Sequence, residues 1–174
     1  MNNFIYEKLA VTNLKNNRKT YVPYIFTGVL TVMMFYIIDA LSRGEGITQN
    51  TLKICLQYAT GVIIVFAVIF LFYTNSFLIK RRKKEIGVYN ILGMGKRHIA
   101  RMMAVETILT AGISILGGLV FGIIFGKLMY LLLLKILYNS VDMQFSVNGT
   151  AIVQTVILFA GIFLLTLSLI HISE

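Results

Sequence analysis

The sequence predicts an all-α fold: a polytopic membrane protein with four transmembrane helices and a helical cytoplasmic loop between the second and the third. Three observations predict it. Hydrophobic residues make up 57% of the 174 residues and charged ones only 13%, more apolar surface than a soluble chain of this length can bury. The apolar residues gather in four runs of about 20 or more, the length that crosses a hydrocarbon core. Eight of the sixteen Lys and Arg crowd between the second and third runs, in residues 80–103.

Residues 1–20 read as a cytoplasmic amphipathic segment. Phe4, Ile5, Leu9, Val11 and Leu14 recur at helical spacing among Lys8, Lys15, Arg18 and Lys19, so a short helix on the inner leaflet is expected. The apolar run that follows is too long for a cleavable signal and lacks a small-residue cleavage site. The first span is 21–41, with Pro23 near its start, where a missing N–H costs little, and Asp39 at its far end, where it is expected to face water. An extracellular loop, 42–57, precedes a three-helix unit over 58–170. Its spans are 58–79, 104–134 and 151–170.

Charge sets the orientation. The N-terminal segment and the second loop are strongly basic. The first loop carries only Arg43 and Lys53 with Glu45, and the third Lys135 and Asp142. The positive-inside rule then places the N-terminus, residues 80–103 and the C-terminus in the cytoplasm. The net charge of +9 belongs to these flanks, which face anionic headgroups. Aromatic and basic residues are not interleaved as in a nucleic-acid binder, so no nucleic acid is expected. Cys55 is the only cysteine, which excludes an internal disulfide, and it is expected to be buried as a small apolar residue.

The third span carries Ser114, Gly118, Gly122 and Gly126, four apart on one face. Small residues let a second helix backbone approach closely in lipid, so this stripe reads as helix packing.

The loop between spans two and three is longer than a return across the membrane requires. Residues 85–92 can extend the second helix into the cytoplasm, Gly93-Met94-Gly95 should break it, and a new helix can start near Lys96. That helix would carry Ile99, Met102 and Met103 on one face and Lys96, Arg97 and Arg101 on the other. Gly93-Met94-Gly95-Lys96 is not a phosphate loop: Asn90 stands where a glycine is needed and Arg97 where a Ser or Thr is needed.

The stretch SFLIKRRKKEIGVYNILGMGKRHIARMMAVET resembles the loop of FtsX-like ABC transporter permeases, where a basic run, a Glu-Ile-Gly triplet and a Leu-Gly-x-Gly turn precede the helix that docks on the ATPase. NLKNNRKTYVPYIFTGVLTVMMFYII resembles the first span of the BceB-like subgroup, associated with antimicrobial-peptide resistance. The resemblance implies a separate ABC ATPase that binds the ATP, so no cofactor is expected on this chain. It implies mechanotransmission across the bacterial plasma membrane, in antimicrobial-peptide resistance or export. It assigns ATPase coupling to Glu85, Gly87, Gly93, Gly95, Lys96, Arg97, Ile99 and Met102. The lipid bilayer, the remaining permease half and a sensor kinase are the further partners it brings into view. Such permeases have a second half, so an N-terminal fragment is expected, with 171–174 a truncated or non-native tail.

No paired carboxylates, HExxH or serine-based motif supplies catalytic chemistry, so the chain is not expected to be an enzyme, and no metal-ligand cluster is seen. Glu106, at the inner mouth of the third span, is expected to sit at the interface and pair with the basic loop. Two rival readings use the same residues. One is a non-transporting FtsX-like regulator of cell division or wall remodelling. The other, less favoured, is a proton-coupled exporter working through Glu106.

Overall fold

The computed structural model describes residues 11–44, 47, 50–91, 96–138 and 148–173. Among the described residues every regular element is a helix: α1 (Arg18–Ser42), α2 (Asn50–Ile91), α3 (Lys96–Tyr138) and α4 (Gly149–Ser173). Each contains a stretch long and apolar enough to cross a membrane. A short helical segment, 11–16, leads into α1 through Asn17, whose carbonyl accepts from the N–H groups of Thr20 and Tyr21 at 2.9 and 3.1 Å.

The helices run further than the apolar runs. With 42 and 43 residues, α2 and α3 are each about 63–65 Å long at 1.5 Å per residue. A hydrocarbon core of about 30 Å takes up half of that, so both project well beyond the bilayer. The loop expected over 42–57 is shorter, because residues 50–57 contain no breaker and join α2. Similarly, α1 begins at Arg18, which moves Pro23 into the second turn, where the Lys19 carbonyl loses its helical donor.

The core sits around α1, which packs on all three other helices and most extensively on α3. Tyr21, Tyr24, Val32 and Phe35 of α1 cluster with Ala67, Leu71 and Leu78 of α2, Ala111 of α3 and Phe159, Ile162 and Phe163 of α4. Phe35 meets Phe159 edge to face, with centroids 5.7 Å apart and planes at 72°. Outward, Phe66, Ile69, Leu116 and Leu164 are each more than 60% exposed. A band of this kind would aggregate in water; in a bilayer it is the lipid-facing surface.

The α1–α3 contact is close where glycines meet side chains. A Cβ added to Gly118 would lie 2.5 Å from Val32 Cβ and 3.0 Å from the Val29 carbonyl. One at Gly122 would lie 2.8 Å from Tyr36, and one at Gly28 2.6 Å from the Ser114 hydroxyl. Gly126 is looser, with Tyr36 at 3.7 Å. The pairs 28–114, 32–118 and 36–122 ascend together, so α1 and α3 cross the membrane in the same direction.

Two expectations are corrected. Asp39 is only 3% exposed and does not face water freely. Arg43, one turn on, donates to both of its carboxylate oxygens at 3.1–3.2 Å and reaches Gln154 of α4. A carboxylate at a membrane boundary can be buried when a charged partner one turn away satisfies it. Cys55 is exposed, because its part of α2 faces outward and lipid accepts a small apolar side chain as well as a protein core does.

Candidate functional site

The basic end of the bundle is built from four pieces: the segment 11–16, the start of α1, the projecting end of α2 and the first turns of α3. α2 ends at Ile91 and α3 starts at Lys96, with the Gly-Met-Gly stretch between them. Gly93 and Gly95 lie outside the described residues, as do the side chains of Glu85, Lys96 and Arg97. Gly87 is exposed, with open space where a Cβ would stand.

Ile99 and Met102 are not placed as the sequence suggested. They are 3% and 1% exposed, and Met103 is 5% exposed; the apolar face of this helix is turned into the protein. The helix does not stop at the membrane. Ile99, Met103, Glu106, Thr110, Ser114, Gly118 and Gly122 recur three or four residues apart along one continuous α3, and one face of a straight helix keeps its direction. The face that meets α1 in the membrane is therefore the face that meets the chain's own N-terminal part below it.

A buried polar joint closes that contact. Glu106, 3% exposed, accepts a hydrogen bond from the Tyr21 hydroxyl at 2.8 Å and another from Asn13 Nδ2 at 3.2 Å. Asn13 Nδ2 also lies 3.6 Å from Met102 Sδ. The acid expected to turn toward the basic loop thus reaches into the bundle, where it ties α3 to α1 and to the segment before it. One turn further along α3, the Thr110 hydroxyl donates to the Glu106 carbonyl at 3.0 Å. The neighbouring cavity, lined by Tyr21, Asn75, Glu106 and Thr110, has a volume of only about 10 Å³. It admits no organic substrate. Among the described residues no cluster of His, Cys, Asp or Glu could hold a metal ion.

What remains outward is different from what was expected. Val88 is 54% exposed and Ile91 87% exposed, on the end of α2 that has left the membrane. Arg101 is exposed on α3. The i, i+3 spacing of Val88 and Ile91 was a sequence signal for a shared helix face. Which of the two apolar faces, 88/91 or 99/102, looked outward depended on the packing.

The family described as FtsX-like permease C-terminal matches residues 58–173. The chain is 32% identical over 162 residues to the bacitracin export permease protein BceB of Bacillus subtilis (strain 168), an alignment covering 91% of this chain and 25% of that protein. A protein of the same name from Halalkalibacterium halodurans is 32% identical over 161 residues, covering 89% of this chain and 24% of the relative. An uncharacterized ABC transporter permease of Bacillus subtilis, YvcS, is 29% identical over 173 residues, covering 94% and 27%. The chain spans about a quarter of the length of these curated relatives.

Proposed function

Because the chain belongs to the FtsX-like permease family, we propose that it forms part of an ABC transporter permease and that a separate ATPase acts on the projecting ends of α2 and α3. One observation carries the reading. Val88 and Ile91 stand exposed beyond the span, on a helix that continues unbroken into the membrane. Apolar side chains in water at the tip of a long lever are stabilised by a protein partner that covers them, and exposed Arg101 offers a charged rim that fixes register. ATP is bound by that partner. Glu85, Gly87, Gly93, Gly95, Lys96 and Arg97 are assigned to the same coupling by the family resemblance.

In this reading the residues expected to dock, Ile99 and Met102, do internal work. Displacement at the start of α3 passes through Met102 and Glu106 to Asn13 and Tyr21, and the glycine contact makes α1 follow. The bundle transmits force; the joint is too tight to pass a peptide. The relatives named for bacitracin export suggest antimicrobial-peptide resistance or export as the setting. The remaining permease half completes the machine, and the basic end faces the cytoplasm.

The test is made in the full-length permease with its cognate ATPase. Val88→Asp with Ile91→Asp should lower co-purification of the ATPase roughly tenfold, the size of a hot-spot loss, with membrane accumulation unchanged. Normal co-purification would overturn the docking assignment. Ile99→Asp should instead reduce accumulation, because it buries a charge. Orientation is read separately by cysteine labelling in a Cys55→Ala background: positions 46 and 148 react from outside and position 84 does not.

A further inference from the structure

A second feature lies at the basic end. A groove of about 270 Å³ runs between α1 and α2, lined among others by Lys19, Thr20, Thr27, Thr74, Phe77 and Arg81. We infer that this groove binds the phosphate-bearing headgroup of one anionic phospholipid, with Lys19 and Arg81 holding the phosphate.

Depth is the first argument. Lys19 lies just before the apolar part of α1 and Arg81 just after that of α2, so both reach headgroup level on the same side of the bilayer. Thr27 is eight residues further along α1, about 12 Å deeper at 1.5 Å per residue. The groove therefore descends from the headgroup layer toward the acyl chains, as a lipid does and a soluble phosphate does not.

Charge is the second. Among the described residues no carboxylate lines the groove. Asp39 pairs with Arg43 at the other end of the bundle, and Glu106 is turned inward onto Tyr21 and Asn13. Lys19 and Arg81 thus bring two positive charges to one groove. The Arg81 guanidinium is already oriented, lying 4.7 Å from the centroid of the Phe77 ring. Its planar fork suits two oxygens of one phosphate, and Lys19 adds a point charge. Phe77, 47% exposed, gives the glycerol and upper acyl carbons an apolar wall, and the Thr20 and Thr27 side chains add hydroxyls along the opposite side.

The full chain is purified in detergent and titrated with phosphatidylglycerol, with phosphatidylcholine and with inorganic phosphate, and the complexes are counted by native mass spectrometry. One phosphatidylglycerol should bind in preference to phosphatidylcholine and persist in excess inorganic phosphate. Lys19→Ala with Arg81→Ala should weaken it about tenfold or more, from roughly 1 kcal/mol per basic residue near a membrane surface. Lys15→Ala with Arg101→Ala removes the same charge from exposed sites outside the groove and should change it about twofold or less. Equal weakening by both pairs would show diffuse surface attraction and overturn the site. Displacement of the lipid by inorganic phosphate would make it a soluble-phosphate site and overturn the lipid assignment. Thr27→Leu narrows the groove without touching charge, which guards against misfolding of the double variant. It too should weaken retention, with helicity unchanged by circular dichroism, and retention equal to the parent would overturn the proposal.

Discussion

α3 is held to α1 in two places by two kinds of physics. In the membrane the contact is steric: glycines at 118 and 122 leave room for Val32 and Tyr36. Below it the contact is polar: Glu106 collects hydrogen bonds from Tyr21 and Asn13. The steric contact interlocks residues spaced four apart on both helices. The polar joint is directional, built on hydrogen bonds that Glu106 accepts from Tyr21 and Asn13. Along α3 the polar joint comes first and the steric seam follows, on one continuous helix.

The sharpest way to break the comparison is Gly118→Leu. The new side chain meets Val32 and the Val29 carbonyl, and backbone cannot yield as a side-chain tip can. A cost of about 3 kcal/mol, the upper end for overpacking, is expected. Accumulation in membranes should fall to a small fraction of the parent's. If it equals that of Gly112→Leu, which adds its side chain to open space, the seam is not tight.

Glu106→Leu comes next. It leaves the Tyr21 hydroxyl and the Asn13 amide buried without this acceptor, at about 1–3 kcal/mol for each group stranded. Glu106→Gln keeps one acceptor and should lie between Leu and the parent. Thermal melts followed by circular dichroism rank the three. A ranking in which Gln is as poor as Leu would mean that the negative charge, rather than the hydrogen bonds, holds the joint.

Two smaller effects sharpen the steric half. Gly112→Ala should stabilise α3 by up to about 1 kcal/mol through helix propensity, since nothing lies within 4 Å of the added carbon. Ser114→Ala should be within about 0.5 kcal/mol of the parent. Its hydroxyl is buried and has no hydrogen-bond partner among the described residues, so deletion strands nothing there. A loss beyond about 1 kcal/mol in the same melts would show that the hydroxyl has a partner in the membrane.

Much of this was legible along the chain. Four apolar runs and a small-residue stripe from Ser114 are local patterns, and the described helices α2 and α3 lie on either side of the Gly-Met-Gly stretch. The orientation of the loop helix was not legible. Ile99 and Met102 form a good apolar face by spacing, yet spacing does not say whether a partner or the chain itself covers it. The stripe 99–103–106–110–114 held the clue, because it continues unbroken into the face that carries the glycines. Asp39 shows the same limit. Its place at a span end suggested water, whereas Arg43 and the neighbouring α4 take the place of water.

Periodicity, length and charge asymmetry alone determined that this chain is helical, crosses a membrane and gathers its basic residues at one end. These follow from the cost of exposing backbone and charge to hydrocarbon, which every segment meets on its own. Tertiary structure decided which apolar face was inside, which acid was buried and which apolar residues were left exposed. Those outcomes depend on what lies opposite, and in a bilayer the neighbour of an apolar side chain can be lipid, another helix or another protein at nearly equal free energy. Only close steric fit and paired polar groups separate the three, and both are properties of two helices together.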